Sequence, residues 1–510
     1  MEGYITGFSN ILNTQAALFF AGLKQMNNFN SLAMQALPPF LTAEKTRKSD
    51  PGANWDLFMG NLNSGLAGLG NGFTAIGKMQ RNLLEDQITA WAKGGNAYAD
   101  VAKRQLTAIQ AVGTTYPEAI EAIGPEFGFN YDGGLGFPVM VHTLRFNLCK
   151  VLPSVPGVVT KLNSKPIVVI PPFVLGANIL ALLPGEGRSY LHAFANAGIP
   201  TYILIMKPIT STPAVRKMTL ENIAMDVKYF CQYLKNLHYN EVTINGYCQG
   251  GTVAAIIFMS GILKGLANKF ITCVAPMDGT LSKGLTAFLF GLPERFRDLA
   301  YGTTLIEGDP VASGPLMSYV YKAAALSEGG DPLTELCQTF DMLHGIAKKN
   351  GGTVETHDIP KIILAIQYWL KNNRTDIPMS VTDMSFKLYT IPTRDDGTLP
   401  LQLFGRPLNF KWFREHEVPW LICHGERDDL VERRVALAPT KWLDGFVEVT
   451  PFPKGHVAIA TSWSVPGSKC PLDGEFTIDG RTYRGPVKFH LDLPAHTSAS
   501  ASVYGAHLRN

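Results

Sequence analysis

The sequence lacks the features that mark membrane-spanning and secreted proteins. Its most membrane-like apolar stretch, Ala16 to Leu23, covers about eight residues, whereas a helix needs about 20 to cross a bilayer. The opening Met-Glu-Gly has no basic segment of the kind that begins a secretory signal. We therefore expect a cytoplasmic protein without a transmembrane segment.

The sequence also lacks an excess of charge of either sign. The chain has 45 Lys and Arg residues against 42 Asp and Glu residues, which gives a formal net charge of +3. The basic residues form no long run, and they do not alternate with aromatic residues as they do in surfaces that stack on bases. The sequence therefore argues against a nucleic-acid partner.

Cysteines are few, odd in number and widely spaced. There are seven, and no two form the C-x-x-C pair that is typical of zinc and redox sites. With 510 residues, 46% of them hydrophobic, the chain can build a large core without disulfides. We expect no metal site, no cofactor and reduced thiols that are mostly buried.

Residues 1–136 carry the pattern of a helical N-terminal region. The segment is rich in Ala, Leu, Asn, Gln and Gly and shows no strand-like alternation. Its apolar residues recur at intervals of three and four, for example at Leu84, Ile88 and Trp91. These apolar stripes are expected either to pack against the neighbouring domain or to form an oligomeric or lipid-like contact.

Residues 137–490 change to short apolar runs that alternate with helices. The predicted strands are Pro138–His142, Ile167–Ile170, Tyr202–Met206, Val242–Asn245, Ile271–Ala275, Trp420–Cys423 and Val447–Pro451. The central runs are continuously apolar, which is typical of strands covered on both faces. Because a helix is predicted between two of them at residues 220–237, we expect a mostly parallel α/β sheet with helices on both faces.

Two further segments have their own character. Residues 282–415 interrupt the alternation of strands and helices between two core strands, so they are predicted to form a cap over an active site or, alternatively, an insertion without function. Residues 491–510 end in an Ala- and Ser-rich stretch and are predicted to be a flexible tail.

The strongest local signal is the segment Gly246-Tyr247-Cys248-Gln249-Gly250, which follows a strand and opens a helix. A nucleophile on such a sharp turn projects above the sheet, and glycines on either side leave room for it. We therefore predict Cys248 as a catalytic nucleophile. The backbone N–H of Gln249 and the helix N-terminus are predicted to stabilise an oxyanion and the thiolate.

A base and an acid follow in the order that this arrangement requires, which is nucleophile, acid, base. His456 comes after the last predicted core strand and is the predicted base, while His424 precedes the acid and ranks well below it. Asp428 is the predicted acid because of its place in the turn after Gly425, with its neighbour Asp429 left open as an alternative.

A second oxyanion donor is expected from the loop after an early strand. The strand at residues 167–170 runs into Pro171-Pro172, and the two prolines have no N–H to donate. The backbone N–H of Phe173 or Val174 is therefore the candidate, and we predict Val174.

Together these segments resemble the polyhydroxyalkanoate synthases, a cysteine-dependent family of the α/β-hydrolase superfamily. The resemblance covers roughly residues 137–280 and 420–460. It rests on the strand that ends in Pro-Pro, the cysteine-containing Gly-Tyr-Cys-Gln-Gly-Gly-Thr, the acid turn Asp-Asp-Leu-Val and the Gly-His-Val segment. The chain departs from the family at Phe173, where a tryptophan is usual, and in the absence of the tryptophan-rich cap signatures.

The resemblance implies an α/β-hydrolase fold and an acyltransferase that polymerises 3-hydroxyacyl-CoA through a thioester on Cys248, with release of CoA. It also implies a homodimer and association of the helical N-terminal region with polymer granules. Two alternatives stay open: a cysteine-dependent esterase, thioesterase or lactonase with the same triad, and a granule-associated homologue without activity.

Overall fold

The structure is a computed structural model that describes residues 1–46, 51–284, 286, 303–314, 331–373, 375–465 and 467–492. For residues 26–46 and 51–69 it describes the backbone alone. The predicted tail therefore lies outside the described residues except for Leu491 and Asp492, and parts of the predicted cap lie outside them as well.

Among the described residues, all strands lie from residue 139 onward, where helices are interspersed with them. The α-helices of the described residues are α1 (Glu2–Thr46), α2 (Pro51–Lys93), α3 (Gly95–Gly113), α4 (Thr115–Ala122), α5 (Tyr190–Ala195), α6 (Pro213–Arg216), α7 (Leu220–His238), α8 (Gln249–Met259), α9 (Pro332–Lys349), α10 (Lys361–Asn372), α11 (Met379–Thr390), α12 (Trp412–Glu415), α13 (Arg433–Ala436), α14 (Ala458–Thr461) and α15 (Pro486–Asp492). The strands are β1 (Val139–His142), β2 (Phe146–Val151), β3 (Ile167–Ile170), β4 (Thr201–Met206), β5 (Val242–Tyr247), β6 (Ala267–Cys273), β7 (Thr303–Ile306), β8 (Asp309–Ala312), β9 (Ile377–Pro378), β10 (Thr398–Leu403), β11 (Arg406–Asn409), β12 (Trp420–Gly425), β13 (Val447–Phe452), β14 (Glu475–Ile478) and β15 (Arg481–Arg484).

The first of two compact units comprises residues 1–124, 292–303 and 315–371, and its described residues are mainly helical. Helices α1, α2 and α9 pack around α3. At the crossing of α1 and α3 a side chain on Gly3 would lie 2.7 Å from the carbonyl of Gly95, so the close approach requires glycine. The amide of Gln87 donates to the Gln105 side chain at 2.7 Å and so satisfies a buried polar group. The predicted helical N-terminal region is confirmed.

The second unit comprises residues 125–291, 304–314 and 372–510 and is built on an eight-stranded sheet. Its strand order is β1-β2-β4-β3-β5-β6-β12-β13. The pairs β1–β2 and β2–β4 are antiparallel, while all pairs from β4 through β3, β5, β6 and β12 to β13 are parallel. Every residue of β3, β5 and β12 is buried. This explains the continuously apolar sequence of β3, while β5 and β12 also bury polar residues such as Asn245 and His424.

The seven predicted strands are all present, with ends that differ by up to four residues. The sequence reasoning missed β2, whose residues include Asn147 and Lys150 at half-buried positions. An antiparallel strand near the edge of the sheet tolerates such polar residues, so it lacks the apolar run that marks the central strands.

A mostly parallel sheet with this strand order, flanked by helices and with a sharp turn from β5 into α8, defines the α/β-hydrolase fold. The predicted fold class is therefore confirmed. Among the residues that the structure describes, no helix is both long enough and apolar enough to cross a membrane.

Candidate active site

Four loops that carry predicted site residues leave the same edge of the sheet. Strands β3, β5, β12 and β13 are parallel to one another, directly or through β6, so their carboxyl ends lie together. Cys248 follows β5, Asp428 follows β12, His456 follows β13 and Val174 follows β3. In open α/β sheets this edge is where ligands bind.

Cys248 lies at the junction between β5 and α8. Its backbone, with φ of 50° and ψ of −128°, has a conformation that residues other than glycine rarely adopt. A Cβ on Gly250 would lie 2.3 Å from the carbonyl oxygen of Ile170, and one on Gly246 would lie 2.3 Å from the Cα of Gly251. Both glycines are therefore required for the turn to pack against the sheet, and the strain at Cys248 is held by this packing.

This packing predicts a large effect of a single methyl group. Gly250→Ala should destabilise the protein by about 3 kcal/mol, because the atoms that the new Cβ would meet are backbone carbonyls that cannot move aside. Urea unfolding measures the loss as a lower midpoint at constant slope. Gly136→Ala is the matched control, since a Cβ there meets no atom within 4 Å, and an unchanged midpoint for Gly250→Ala would contradict this account of the turn.

The structure places His456 against Asp428 and not against Asp429. The Nδ1 atom of His456 lies 2.8 Å from Oδ2 of Asp428, and both residues are buried. The other carboxylate oxygen of Asp428 accepts the backbone N–H groups of Leu430 and Val431 at 3.0 and 2.8 Å. Asp429 is exposed, so of the two adjacent carboxylates only Asp428 is held in place to orient the imidazole.

The charge on His456 is set by its surroundings. Burial lowers the pKa of the imidazole, but the charge interaction with the neighbouring Cys248 and the hydrogen bonds to Asp428 and Cys248 outweigh burial and raise this pKa to about 10. The Nε2 atom is buried. Since Nδ1 is occupied by Asp428, Nε2 is the atom left for proton exchange with the sulfur.

His424, the lower-ranked candidate base, is in a different environment. It lies within β12 and is 2% exposed, and burial lowers its pKa to about 4. Its ring therefore stays neutral at physiological pH. The structure does not hydrogen-bond His424 to Asp428, whose two oxygens are occupied by His456 and the backbone N–H groups of residues 430 and 431.

The two predicted oxyanion donors lie in segments that approach each other. Gln249 is the first residue of α8, and Val174 lies in the turn after β3. The close approach of Gly250 to Ile170 and Pro171 brings the start of α8 against the end of β3. Among the described residues neither backbone N–H has an acceptor, so both are available to a ligand oxygen.

Other contacts around the site were not predicted. The hydroxyl of Tyr247 donates to the backbone carbonyl of His456 at 2.9 Å, which fixes the histidine loop to the residue before the cysteine. The side chain of Gln249 donates to the hydroxyl of Ser385 on α11 at 2.6 Å. These partners are 209 and 136 residues apart in sequence, so no local pattern could have indicated them.

Comparisons with known proteins found similar solved structures but no matching family model or curated protein. The chain is similar to a carboxylesterase from Nitrososphaera gargenis, with 13% identity over 64% of this chain and 92% of that one and a TM-score of 0.36. It is also similar to a thermophilic esterase from Thermogutta terrifontis, with 14% identity over 64% of this chain and 92% of that one and a TM-score of 0.34. A third similar structure is a meta-cleavage product hydrolase from Pseudomonas fluorescens, with 12% identity over 63% of this chain and 92% of that one and a TM-score of 0.31.

Proposed function

We propose that the protein is a cysteine-dependent acyltransferase that polymerises 3-hydroxyacyl-CoA, as the polyhydroxyalkanoate synthases do. The observation that carries the proposal is the arrangement of Cys248, His456 and Asp428. The cysteine lies in a strained turn at the start of a helix, and the histidine beside it is hydrogen-bonded to a buried aspartate. This is the geometry of a nucleophile, a base and an orienting acid.

In the first half of the reaction the Cys248 thiolate attacks the carbonyl carbon of the substrate thioester. The resulting oxyanion is stabilised by the backbone N–H groups of Gln249 and Val174 and by the N-terminus of α8. The bond between the carbonyl carbon and the CoA sulfur then breaks. The His456 imidazolium gives its Nε2 proton to the departing CoA, which leaves the acyl group on Cys248 and the imidazole neutral.

In the second half a hydroxyl of another acyl unit attacks the Cys248 thioester. Acylation has removed the thiolate charge, which is the largest cause that raises the His456 pKa, so the neutral imidazole can now accept the hydroxyl proton. Ester formation releases Cys248 as a thiolate beside a His456 imidazolium. The chain is longer by one unit and the enzyme returns to its starting state.

Burial of the site favours transfer to a hydroxyl over transfer to water. Cys248 and His456 are each 8% exposed and Asp428 is 6% exposed. A site closed to solvent protects a reactive acyl-enzyme from hydrolysis. The alternative is a thioesterase or esterase with the same three residues, which differs only in letting water reach the acyl-enzyme.

One incubation separates these functions. Purified protein is mixed with 3-hydroxybutyryl-CoA while free thiol and turbidity are followed. Release of CoA together with insoluble polymer supports the synthase, and release of CoA together with free 3-hydroxybutyrate supports the hydrolase. Absence of CoA release with several acyl-CoA substrates would contradict both the synthase and the hydrolase, and would favour the third alternative, a granule-associated homologue without activity.

The raised pKa of His456 predicts the pH dependence of acylation. The imidazolium form protonates the departing CoA, so kcat/KM for CoA release should fall as the pH rises through about 10. Asp428→Asn removes a cause that raises this pKa, so the alkaline limb of the profile should move to lower pH. Single-turnover rates between pH 6 and 10.5 measure both profiles, and an alkaline limb that does not move would contradict the assigned role of Asp428.

We also propose, from the same resemblance, a homodimer and contact of the helical N-terminal region with the polymer surface. Helix α1 supports such a contact because it exposes large apolar side chains between residues 5 and 20. Ile5, Phe8, Phe19 and Phe20 are between 59% and 67% exposed. Apolar surface of this kind is typical of interaction sites.

A further inference from the structure

The side chain of Gln249 is only half satisfied, although it is 6% exposed and directly follows Cys248. Its amide nitrogen donates to the Ser385 hydroxyl at 2.6 Å. Its oxygen, Oε1, is buried and has no hydrogen-bond partner among the described residues. A buried acceptor without a donor is destabilising, so such a group commonly marks a place where a ligand supplies the missing partner.

Helix α11 adds a second unsatisfied group on the face that carries Ser385. Residues 382, 385 and 389 share this face because they are three and four positions apart. The hydroxyl of Thr382 is buried and also has no hydrogen-bond partner among the described residues. Polar groups on the buried side of a helix are uncommon unless they are paired, so α11 resembles the wall of a polar binding site more than a purely structural helix.

We infer that the Gln249 side chain, held in place by Ser385, accepts a hydrogen bond from the hydroxyl group of a hydroxyacyl thioester and so selects hydroxylated over unsubstituted acyl groups. The inference rests on the proposed acyl transfer at Cys248. Because Cys248 is only 8% exposed, an acyl group on its sulfur must contact the side chains that surround it.

The selectivity follows from the hydrogen bond between the substrate hydroxyl and Oε1 of Gln249. The hydroxyl of a 3-hydroxyacyl group donates a hydrogen bond to Oε1. An acyl group with only hydrogens at its third carbon leaves Oε1 buried without a donor. Sites built to bind a substrate hydroxyl discriminate strongly against analogues that lack it. Ser385 fixes the amide through the nitrogen, which leaves the oxygen as the free end. Gln249 thus acts through its backbone in oxyanion stabilisation and through its side chain in substrate choice.

The test compares two substrates that differ only in this hydroxyl. Single-turnover CoA release is measured with 3-hydroxybutyryl-CoA and with butyryl-CoA, and the ratio of the two rates is the readout. The wild-type ratio should be about tenfold or more in favour of the hydroxylated substrate. Gln249→Met, which keeps the size and removes the acceptor, should lower the ratio about tenfold, and Ser385→Ala about threefold.

Gln232→Met is the matched control, since this exposed glutamine on α7 donates to its neighbour Asn236 at 2.9 Å, and it should leave the ratio unchanged. A ratio that is unchanged in both Gln249→Met and Ser385→Ala would overturn the inference. If Gln249→Met does not fold, as judged by circular dichroism, the ratio of Ser385→Ala decides alone. Failure of the wild type to release CoA from either substrate would instead overturn the proposed function.

Discussion

Replacing Cys248 by alanine should lower kcat/KM for CoA release from 3-hydroxybutyryl-CoA by about 10⁴-fold or more, to the background rate. The Cys248 sulfur is the protein atom that bonds to the acyl carbon in the proposed reaction, and removal of a nucleophile commonly costs a factor of this size. Alanine fits the turn because it keeps the Cβ and removes only the sulfur. The folded state should therefore persist, which a thermal unfolding curve checks.

Cys231 provides the matched control for this prediction. It is a second buried cysteine of the same unit, on α7, where burial raises the pKa of its thiol to about 12. Such a thiol is unreactive at neutral pH. Cys231→Ala should therefore keep CoA release within about threefold of the wild type. Full activity in Cys248→Ala would show that a different residue attacks the thioester.

Asp428→Asn should lower kcat/KM for CoA release by about 10³- to 10⁴-fold. The reason lies in the hydrogen bonds of the carboxylate. One of its oxygens accepts the N–H groups of Leu430 and Val431, so in the variant the amide oxygen should take that place and the amide nitrogen should face His456. The Nδ1 atom would then have to accept a hydrogen bond, which places the ring proton on Nε2. Nε2 could then not take the Cys248 proton, so the thiolate–imidazolium pair that starts the proposed reaction would not form.

The adjacent Asp429 makes this test specific. Its side chain is exposed, so Asp429→Asn changes the net charge by the same amount without touching His456. Measured with the same substrate, it should retain wild-type activity within about threefold. A larger loss in Asp429→Asn than in Asp428→Asn would show that the hydrogen bond to His456 is not the one that matters for catalysis.

How much of the site the sequence could indicate depends on how local each feature is. The turn around Cys248 is visible because a strand, two glycines and a helix follow one another within a short segment. The choice between Asp428 and Asp429 is harder, because adjacent residues share the same sequence context. It is fixed by the backbone of residues 428–431, whose N–H groups hold one oxygen of Asp428 and leave the other for His456.

Contacts between distant segments could not be predicted in the same way. Ser385 lies in a region where the sequence indicates only helices and joints, and nothing in its neighbourhood points to Gln249. The antiparallel strand β2 was missed for a related reason. Its two half-buried polar residues interrupt the apolar run, and only pairing with β1 and β4 identifies it as a strand.

The most direct test of the central claim is to trap the acyl-enzyme. The protein is mixed with 3-hydroxybutyryl-CoA, quenched in acid within milliseconds, digested and analysed by mass spectrometry. The account predicts a 3-hydroxybutyryl thioester on the peptide that contains Cys248, formed as CoA is released and absent in Cys248→Ala. CoA release without an adduct on Cys248, or with an adduct on a different residue, would contradict it.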